Sequence, residues 1–152
     1  MKNLLVILSF CFISQISFTQ NSHQVDIDGV KEACMNYINT FYKADTTLAY
    51  KSIHSSLRKT GFYFSEEKGQ YSKQLEMPFD ALINLAKKWN ADGKSANETT
   101  PKKVEIFEVS DKTAVAKVTA VWGIDYISLL KEGDTWMIVN VLWQSEPKFS
   151  ER

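Results

Sequence analysis

The sequence predicts an α+β domain in which helices pack on one face of a curved antiparallel sheet. Apolar residues recur at helical spacing in the first half of the chain, and four strand-like segments follow one another after residue 101. Helices that precede a run of strands, instead of alternating with them, are typical of this layering. With 152 residues, 44% of them hydrophobic and 24% charged, the chain has the size and composition of a single globular domain.

The charges are balanced, with 18 Lys+Arg against 18 Asp+Glu and a formal net charge of zero. Proteins that bind nucleic acid or anionic membranes electrostatically carry an excess of basic residues. We therefore predict no nucleic-acid partner, and no membrane contact beyond an export signal.

The first twenty residues have the layout of a secretory signal peptide. Lys2 is followed by the apolar segment 4–13 and then by polar residues. This segment is shorter than the roughly 20 apolar residues that a membrane-spanning helix needs. We expect cleavage near Thr19 or Gln20 and a periplasmic or secreted protein, with a retained N-terminal anchor as the alternative. The predicted division is a signal peptide at 1–20, a polar lead-in at 21–28, the domain at 29–146 and a polar tail at 147–152.

The first helix is predicted from a stripe of apolar residues that begins at Val30, with Asp28 as its N-cap. Cys34 lies on this stripe. After removal of the signal peptide it is the one remaining cysteine, so an internal disulfide is excluded and we expect a buried core residue. The stripe consists of Val30, Cys34, Tyr37, Ile38 and Phe41.

A second helix is predicted over residues 47–57, because Ala49, Ile53 and Leu57 recur at a spacing of four. This helix would carry His54, and Arg58 and Lys59 just beyond it would be solvated. Short strands at 62–64 and 71–77 follow, then a third helix that starts at Phe79 and a polar loop at 90–101.

The last part of the chain predicts an antiparallel meander with strands at 104–109, 113–122, 124–130 and 136–143. In the last strand, alternation places Trp136, Ile138, Asn140 and Leu142 on one face. It places Val139, Val141 and Trp143 on the other face, which we expect to be the outer surface and a dimer contact.

Two stretches resemble bacterial NTF2-like domains, and within that superfamily the "putative lumazine-binding" branch. They are residues 37–45 (YINTFYKAD) with 53–57 (IHSSL), and 125–130 (DYISLL) with 136–143 (WMIVNVLW). The resemblance extends over nearly all of residues 28–144 and rests mostly on packing positions. It implies a cystatin-like cone, a strongly curved sheet wrapped by three helices, with a pocket at the open end and often a homodimer. Fold alone does not fix function.

Most signatures of catalysis are missing from the sequence. The two histidines, His23 and His54, do not combine with Cys, Asp or Glu at metal-ligand spacing, and the chain has no phosphate-binding loop, dinucleotide fingerprint or nucleophile elbow. We predict no metal and no cofactor.

Three residues are candidates for acid/base chemistry: His54, Asp125 and Tyr63. A histidine titrates near neutral pH, and in isomerase relatives an Asp and a Tyr act across the cone. Strand alternation that points Asp125 inward points Tyr126 outward, so the two do not share a pocket. Structural alternatives carry more weight: His54 fixing its helix to the sheet, and Asp125 on an exposed face.

The candidate ligand-binding residues are Tyr63, Trp122, Asn140, Trp143 and His54. The aromatic members suit the stacking of a flat heterocycle, but they equally suit filling of the core beneath a bent sheet. A polar Asn140 among apolar neighbours requires a hydrogen-bond partner or a pocket wall.

The sequence therefore favours an exported, non-catalytic NTF2-like domain that binds a small apolar or aromatic ligand, or a protein partner, through its cone. The alternative is a small acid/base enzyme of the isomerase or hydrolyase type, which would use His54 with Asp125 or Tyr63. That alternative requires two of these groups to meet in one pocket.

Overall fold

The computed structural model describes residues 23–146 and confirms the α+β fold, with three helices packed against a curved, open sheet. The proposed signal peptide and the tail 147–152 lie outside the described residues. Helix α1 occupies residues 23–42, α2 spans Thr46–Ser52 and α3 spans Phe79–Trp89. The strands are β1 (Ile53–Phe62), β2 (Phe64–Ser65), β3 (Gln70–Tyr71), β4 (Leu75–Pro78), β5 (Lys102–Val109), β6 (Thr113–Ala120), β7 (Gly123–Glu132) and β8 (Thr135–Gln144).

Six strands form the main sheet in the order β4-β1-β8-β7-β6-β5, and β2 and β3 form a small separate hairpin. The meander β5 to β8 is antiparallel throughout, as predicted. Strand β1 pairs with β4 in antiparallel and with β8 in parallel orientation. A parallel pair needs a long connection, and the chain between β1 and β8 supplies one.

Helix α1 starts earlier than predicted. Residues 23–28 are helical, so the prediction of a polar lead-in is wrong there and Asp28 is not an N-cap. The contacts of Asp26 explain the extra turn, because its Oδ1 accepts a hydrogen bond from Trp136 Nε1 at 3.0 Å and pairs with Lys131. The hydrogen bond from Lys131 lowers the pKa of Asp26 below its ordinary value, so the carboxylate is charged and fastens α1 to strands β7 and β8.

Helix α2 ends at Ser52, so the predicted helix 47–57 is wrong in its second half. Asp45 caps the helix, since its side chain accepts from the backbone N–H of Thr47. Ile53 and Leu57 are buried in β1 instead. A spacing of four suits the period of a strand as well as that of a helix, and the apolar pattern alone does not distinguish them.

Two predicted strand boundaries in the first half of the sheet also differ from the observed ones. The predicted strand 71–77 is divided into β3 and β4, and the strand predicted at 62–64 belongs to the end of β1 and to β2. The hairpin of β2 and β3 is tied to the end of β8, because the backbone N–H of Phe64 donates to Ser145 Oγ at 2.9 Å.

An irregularity in β8 reverses the predicted faces of its second half. Across the two strands, Ser128 of β7 pairs with Asn140 of β8, and the next residue, Leu129, pairs with Ile138. Val139 therefore has no partner on β7 and is an extra residue on β8. Trp136 and Ile138 are buried as predicted, but Val141 is also buried and Leu142 is 48% exposed. The assignment of Val141 and Trp143 to the outer surface is therefore wrong, because a bulge shifts the alternation by one residue.

The core lies between α1, α3 and the inner face of the sheet. Its apolar residues include Tyr37, Ile38, Leu82, Ile127 and Ile138. Lys59 and Asp125 also lie on the inner face, and they are 7% and 0% exposed. Burial of two charged residues in such a core costs free energy unless they are paired with each other or with other polar groups.

Candidate functional site

An open pocket of about 400 Å³ lies between the helices and the inner face of the sheet. Its wall comes from α1, α3, β4, β8, the β2–β3 hairpin and the turn between β6 and β7. Half of the lining residues are aromatic, and Leu85, Met77 and Val121 add further apolar surface. The aromatic residues that line it are Tyr37, Phe41, Tyr63, Phe64, Trp89, Trp122 and Trp143.

Trp122 is held at the centre of this wall by edge-to-face packing. Its ring centroid lies 5.3 Å from that of Phe41, 5.4 Å from Trp89 and 5.6 Å from Tyr42. The turn that carries Trp122 is fixed at both sides. The backbone N–H of Val121 donates to the Tyr42 hydroxyl at 3.0 Å, and Gly123 follows with a φ of 127°, a conformation that favours glycine.

A buried polar cluster forms the floor of the pocket. Lys59 Nζ lies 2.8 Å from Asp125 Oδ1 and 2.5 Å from the Tyr37 hydroxyl. The Tyr37 hydroxyl donates to Asp125 Oδ1 at 3.0 Å, and Trp122 Nε1 donates to Asp125 Oδ2 at 2.6 Å. Asp125 thus receives a hydrogen bond from three different side chains. We call these four residues the Lys59 cluster.

The Lys59 cluster pairs its polar side chains with one another. Within residues 23–146, every buried side-chain nitrogen or oxygen has a hydrogen-bond partner. Burial raises the pKa of Tyr37 well above its ordinary value of 10.0, and the charge of Asp125 adds to the effect. Tyr37 therefore stays protonated and acts as a fixed donor to Asp125.

Lys59 is the member of the cluster that presents a charge to the pocket. Among the described residues that line the pocket it is the one cation, and its Nζ lies 5.2 Å from the ring centroid of Trp143. Asp125 lies behind it with 0% exposure and does not line the cavity. A bound molecule would contact the ammonium group of Lys59. It would not contact the carboxylate of Asp125, which would influence the molecule only by pairing with Lys59.

Three of the predicted ligand-binding residues, Tyr63, Trp122 and Trp143, line this pocket. Asn140 does not. It pairs with Ser128 on β7 and lines a separate groove with Arg58, Lys59 and Thr60, because the bulge at Val139 turns its side chain away from the core.

His54 lies outside the pocket, in strand β1 and not on a helix. Its Nδ1 accepts from the backbone N–H of Ser56 at 3.1 Å, and its Nε2 lies 3.3 Å from Glu132 Oε1. The structure therefore does not bring His54 together with Asp125 or Tyr63. Asp125 points inward and Tyr126 is 46% exposed, as the alternation predicts, but the expectation of an exposed Asp125 is wrong.

Sequence reasoning missed Lys59, which we expected to be solvated. Once β1 is recognised as a strand, the alternation of Leu57, Lys59 and Gly61 points all three inward. The helix prediction hid this signal. No sequence signal connects Lys59 with Tyr37 and Asp125, because the three residues come from α1, β1 and β7.

The reactivity of the Cys34 thiol can be used to test how well the core next to the Lys59 cluster is buried. Burial raises the pKa of Cys34 from 9.0 to about 12, with a smaller contribution from the charge of Asp125. We expect full-length protein with Cys11→Ser to resist a thiol-specific reagent at mildly alkaline pH and to react fully when unfolded. A Val25→Cys variant in the same background is the control and should label at once.

The same pKa difference makes stability depend on pH. Above about pH 9 the unfolded thiol loses its proton before the folded one, so the contribution of Cys34 is complete below that pH and is lost progressively toward pH 12. Denaturant titrations measure the free energy of unfolding of the Cys11→Ser protein and of its Cys34→Ala derivative. Below about pH 9 this free energy should change with pH in the same way in both proteins, and above it the Cys11→Ser protein should lose more stability. Native labelling as fast as in denaturant would contradict the burial of Cys34.

In residues 23–146 no three His, Cys, Asp or Glu side chains are grouped so that they could hold a metal ion. No helix in the same range combines the length and the apolar character needed to cross a membrane.

Solved structures with this fold come from several bacteria. An NTF2-like protein of unknown function from Silicibacter pomeroyi is 16% identical, with a TM-score of 0.56, and the match covers 81% of this chain and 95% of that one. One from Methylobacillus flagellatus is 21% identical, with a TM-score of 0.53 and coverage of 80% and 93%. A protein described as a "putative scytalone dehydratase" from Novosphingobium aromaticivorans is 10% identical, with a TM-score of 0.56 and coverage of 88% and 93%.

At these identities the structural likeness shows the fold alone. No curated protein matches the chain. The sequence model of the family described as "Putative lumazine-binding" matches residues 25–144, which is most of the chain and includes all the strands and nearly all of α1. The chain therefore belongs to this family, a branch of the NTF2-like superfamily.

Proposed function

We propose that the domain binds a small, flat, apolar or aromatic molecule in the pocket above the Lys59 cluster. One observation carries this proposal: an open cavity of about 400 Å³ in which half of the lining residues are aromatic. Cavities that bind small molecules in proteins range from about 300 to 1,000 Å³ and are mostly apolar, with a few fixed polar groups. The family description, lumazine binding, names a flat heterocycle and is consistent with this class of ligand.

A pair of tryptophan variants tests the proposal. Leu85 lines the pocket and is 38% exposed, so Leu85→Trp should fill it, whereas Val25→Trp adds the same ring at an exposed position on α1 that does not line the pocket. Thermal unfolding and calorimetry against flavins, pterins, steroids and fatty acids are the measurements. A ligand at a hundredfold excess over its Kd should stabilise the fold by about 2.7 kcal/mol.

We expect at least one compound to bind the unmodified protein and the Val25→Trp control equally, and to lose its binding in Leu85→Trp. Binding that survives in Leu85→Trp would place the ligand elsewhere. If the panel gives no binding at all, the proposal of a small-molecule site fails, and a protein partner docked at the cone becomes the alternative to test.

The enzyme alternative finds no support in the described residues. It required His54 to share a pocket with Asp125 or Tyr63, and His54 contacts Ser56 and Glu132 instead. We therefore do not propose an acid/base reaction that uses His54.

We also propose that the protein is exported, on the strength of Lys2 and the apolar segment 4–13. Mass spectrometry of the protein recovered from cells that express the full chain should find a mature N-terminus after Thr19 or Gln20. A Leu8→Arg variant, which interrupts the apolar segment, should stay uncleaved. An intact N-terminus in the unmodified protein would contradict cleavage and favour a retained anchor.

We further propose that the domain forms a homodimer through the outer face of the sheet. Val115, Tyr126 and Leu142 lie on the adjacent strands β6, β7 and β8, and each is more than 40% exposed. Light scattering at high micromolar concentration should give the mass of a dimer, and Leu142→Lys should reduce it to that of a monomer while Val25→Lys does not. A monomer in the unmodified protein would contradict this proposal.

A further inference from the structure

We infer that the ligand of this pocket is a neutral aromatic carbonyl compound whose oxygen accepts a hydrogen bond from the ammonium group of Lys59. This inference rests on the proposed function and adds to it the chemical class of the ligand. It selects a carbonyl compound over a hydrocarbon of the same shape, and over a carboxylate.

The first argument is the number of donors on Lys59. An ammonium group has three N–H donors. Among residues 23–146, two acceptors lie within hydrogen-bond distance of Lys59 Nζ, the Tyr37 hydroxyl at 2.5 Å and Asp125 Oδ1 at 2.8 Å. One donor is left over, on a residue that is 7% exposed and lines the pocket.

The aromatic neighbours of Lys59 do not replace an oxygen acceptor. Its Nζ lies 5.2 Å from the ring centroid of Trp143 and 5.3 Å from that of Tyr37. Contacts of this kind attract the charge as a whole. An oxygen placed in the cavity would accept the remaining N–H directly, and a hydrogen bond from a charged donor is stronger than one between neutral groups.

The second argument is charge balance. The charge of Lys59 is already neutralised by Asp125 at 2.8 Å, and Glu146 is a further acidic residue on the pocket wall. A carboxylate ligand would lose its hydration and would meet no uncompensated cation. A carbonyl oxygen accepts the hydrogen bond without adding a net charge, so its desolvation costs less.

Three naphthalenes that carry different groups at the same ring carbon separate these possibilities. Acetylnaphthalene offers a neutral carbonyl, isopropenylnaphthalene has nearly the same shape without an acceptor, and naphthoate is anionic. Calorimetric titration of the unmodified full chain should give acetylnaphthalene an affinity about 10- to 100-fold higher than that of isopropenylnaphthalene, the range expected for a hydrogen bond to a charged group. Naphthoate should bind more weakly than acetylnaphthalene.

A double variant assigns the preference to Lys59. Lys59→Met with Asp125→Asn removes both charges together, so neither is left unpaired in the core. We expect this variant to bind acetylnaphthalene and isopropenylnaphthalene with similar affinity. The Val25→Trp variant, changed at an exposed position on α1 that does not line the pocket, should keep the preference of the unmodified protein.

The outcomes distinguish the inference from the proposed function. If the three compounds bind the unmodified protein equally, or naphthoate binds best, the inference is overturned while the pocket remains a ligand site. If the carbonyl preference persists in the double variant, Lys59 is not the donor and the inference is again overturned. If none of the three binds, and the wider panel also fails, the proposed function itself is overturned.

Discussion

Gly61→Ala should destabilise the domain by at least about 3 kcal/mol, more than most single substitutions do. Gly61 pairs with Trp143 across the parallel strands β1 and β8. An added Cβ would lie 2.0 Å from the backbone oxygen of Trp143 and 2.4 Å from the Cδ1 atom of its ring. The alanine would therefore force apart two central strands and displace a ring from the pocket wall. Denaturant unfolding followed by circular dichroism measures the loss.

Gly93→Asn is the control for this experiment. Gly93 has a φ of 70°, which asparagine tolerates, and an added Cβ there meets no atom within 4 Å. We expect its stability to stay close to that of the unmodified protein. If Gly61→Ala were equally mild, β1 and β8 would have to lie farther apart than the structure places them.

Breaking the Lys59–Asp125 pair is the second change with a large expected effect. Lys59→Met leaves the Asp125 carboxylate buried without its cation, and Asp125→Asn leaves the Lys59 ammonium buried without its anion. Removal of one partner from a buried ion pair costs about 3–5 kcal/mol. We expect each single variant to lose stability in this range in denaturant unfolding.

The double variant, Lys59→Met with Asp125→Asn, should lose much less than the sum of the two. An amide at position 125 can accept from Trp122 with its oxygen and donate to the Tyr37 hydroxyl with its nitrogen, so the cluster keeps most of its hydrogen bonds. We expect a coupling energy of at least about 2 kcal/mol from the cycle.

An exposed pair provides the comparison for that cycle. Lys94 Nζ lies 3.2 Å from Asp92 Oδ2, but both side chains are mostly exposed. Lys94→Met should therefore leave stability almost unchanged. Additive losses from Lys59→Met and Asp125→Asn would mean that the two residues do not form the buried pair.

The sequence predicts much of the fold because several segments carry one unambiguous period. The apolar stripe of α1 and the regularly spaced, strand-like segments of β5 to β8 each fit a single kind of element, and the structure confirms these elements. The boundary between α2 and β1 could not be predicted, since Ile53 and Leu57 satisfy both periods. The bulge at Val139 has no signal in the sequence because it depends on how β8 pairs with its neighbours.

The candidate site was predictable in its aromatic part only. Large aromatic residues in a small domain gather between helices and sheet wherever they fall, so Trp122 and Trp143 reach the cavity. Lys59 was missed, because the helix prediction hid the strand alternation that points it inward, and because a lysine is ordinarily solvated unless distant segments supply partners for it. Tyr37 was predicted to be a core residue. That its hydroxyl donates a hydrogen bond to Asp125 is visible only in the structure.

The parallel pairing of β1 with β8 decides when the sheet can be completed. In the order β4-β1-β8-β7-β6-β5, found within residues 23–146, β8 is the strand that pairs with β1 on one side and with the rest of the meander on the other. A nascent or truncated chain that ends before Thr135 holds two unconnected pieces, β4 with β1 and β7 with β6 and β5. The floor of the pocket needs residues from both pieces, so we expect it to form only after the last strand of the domain has been made.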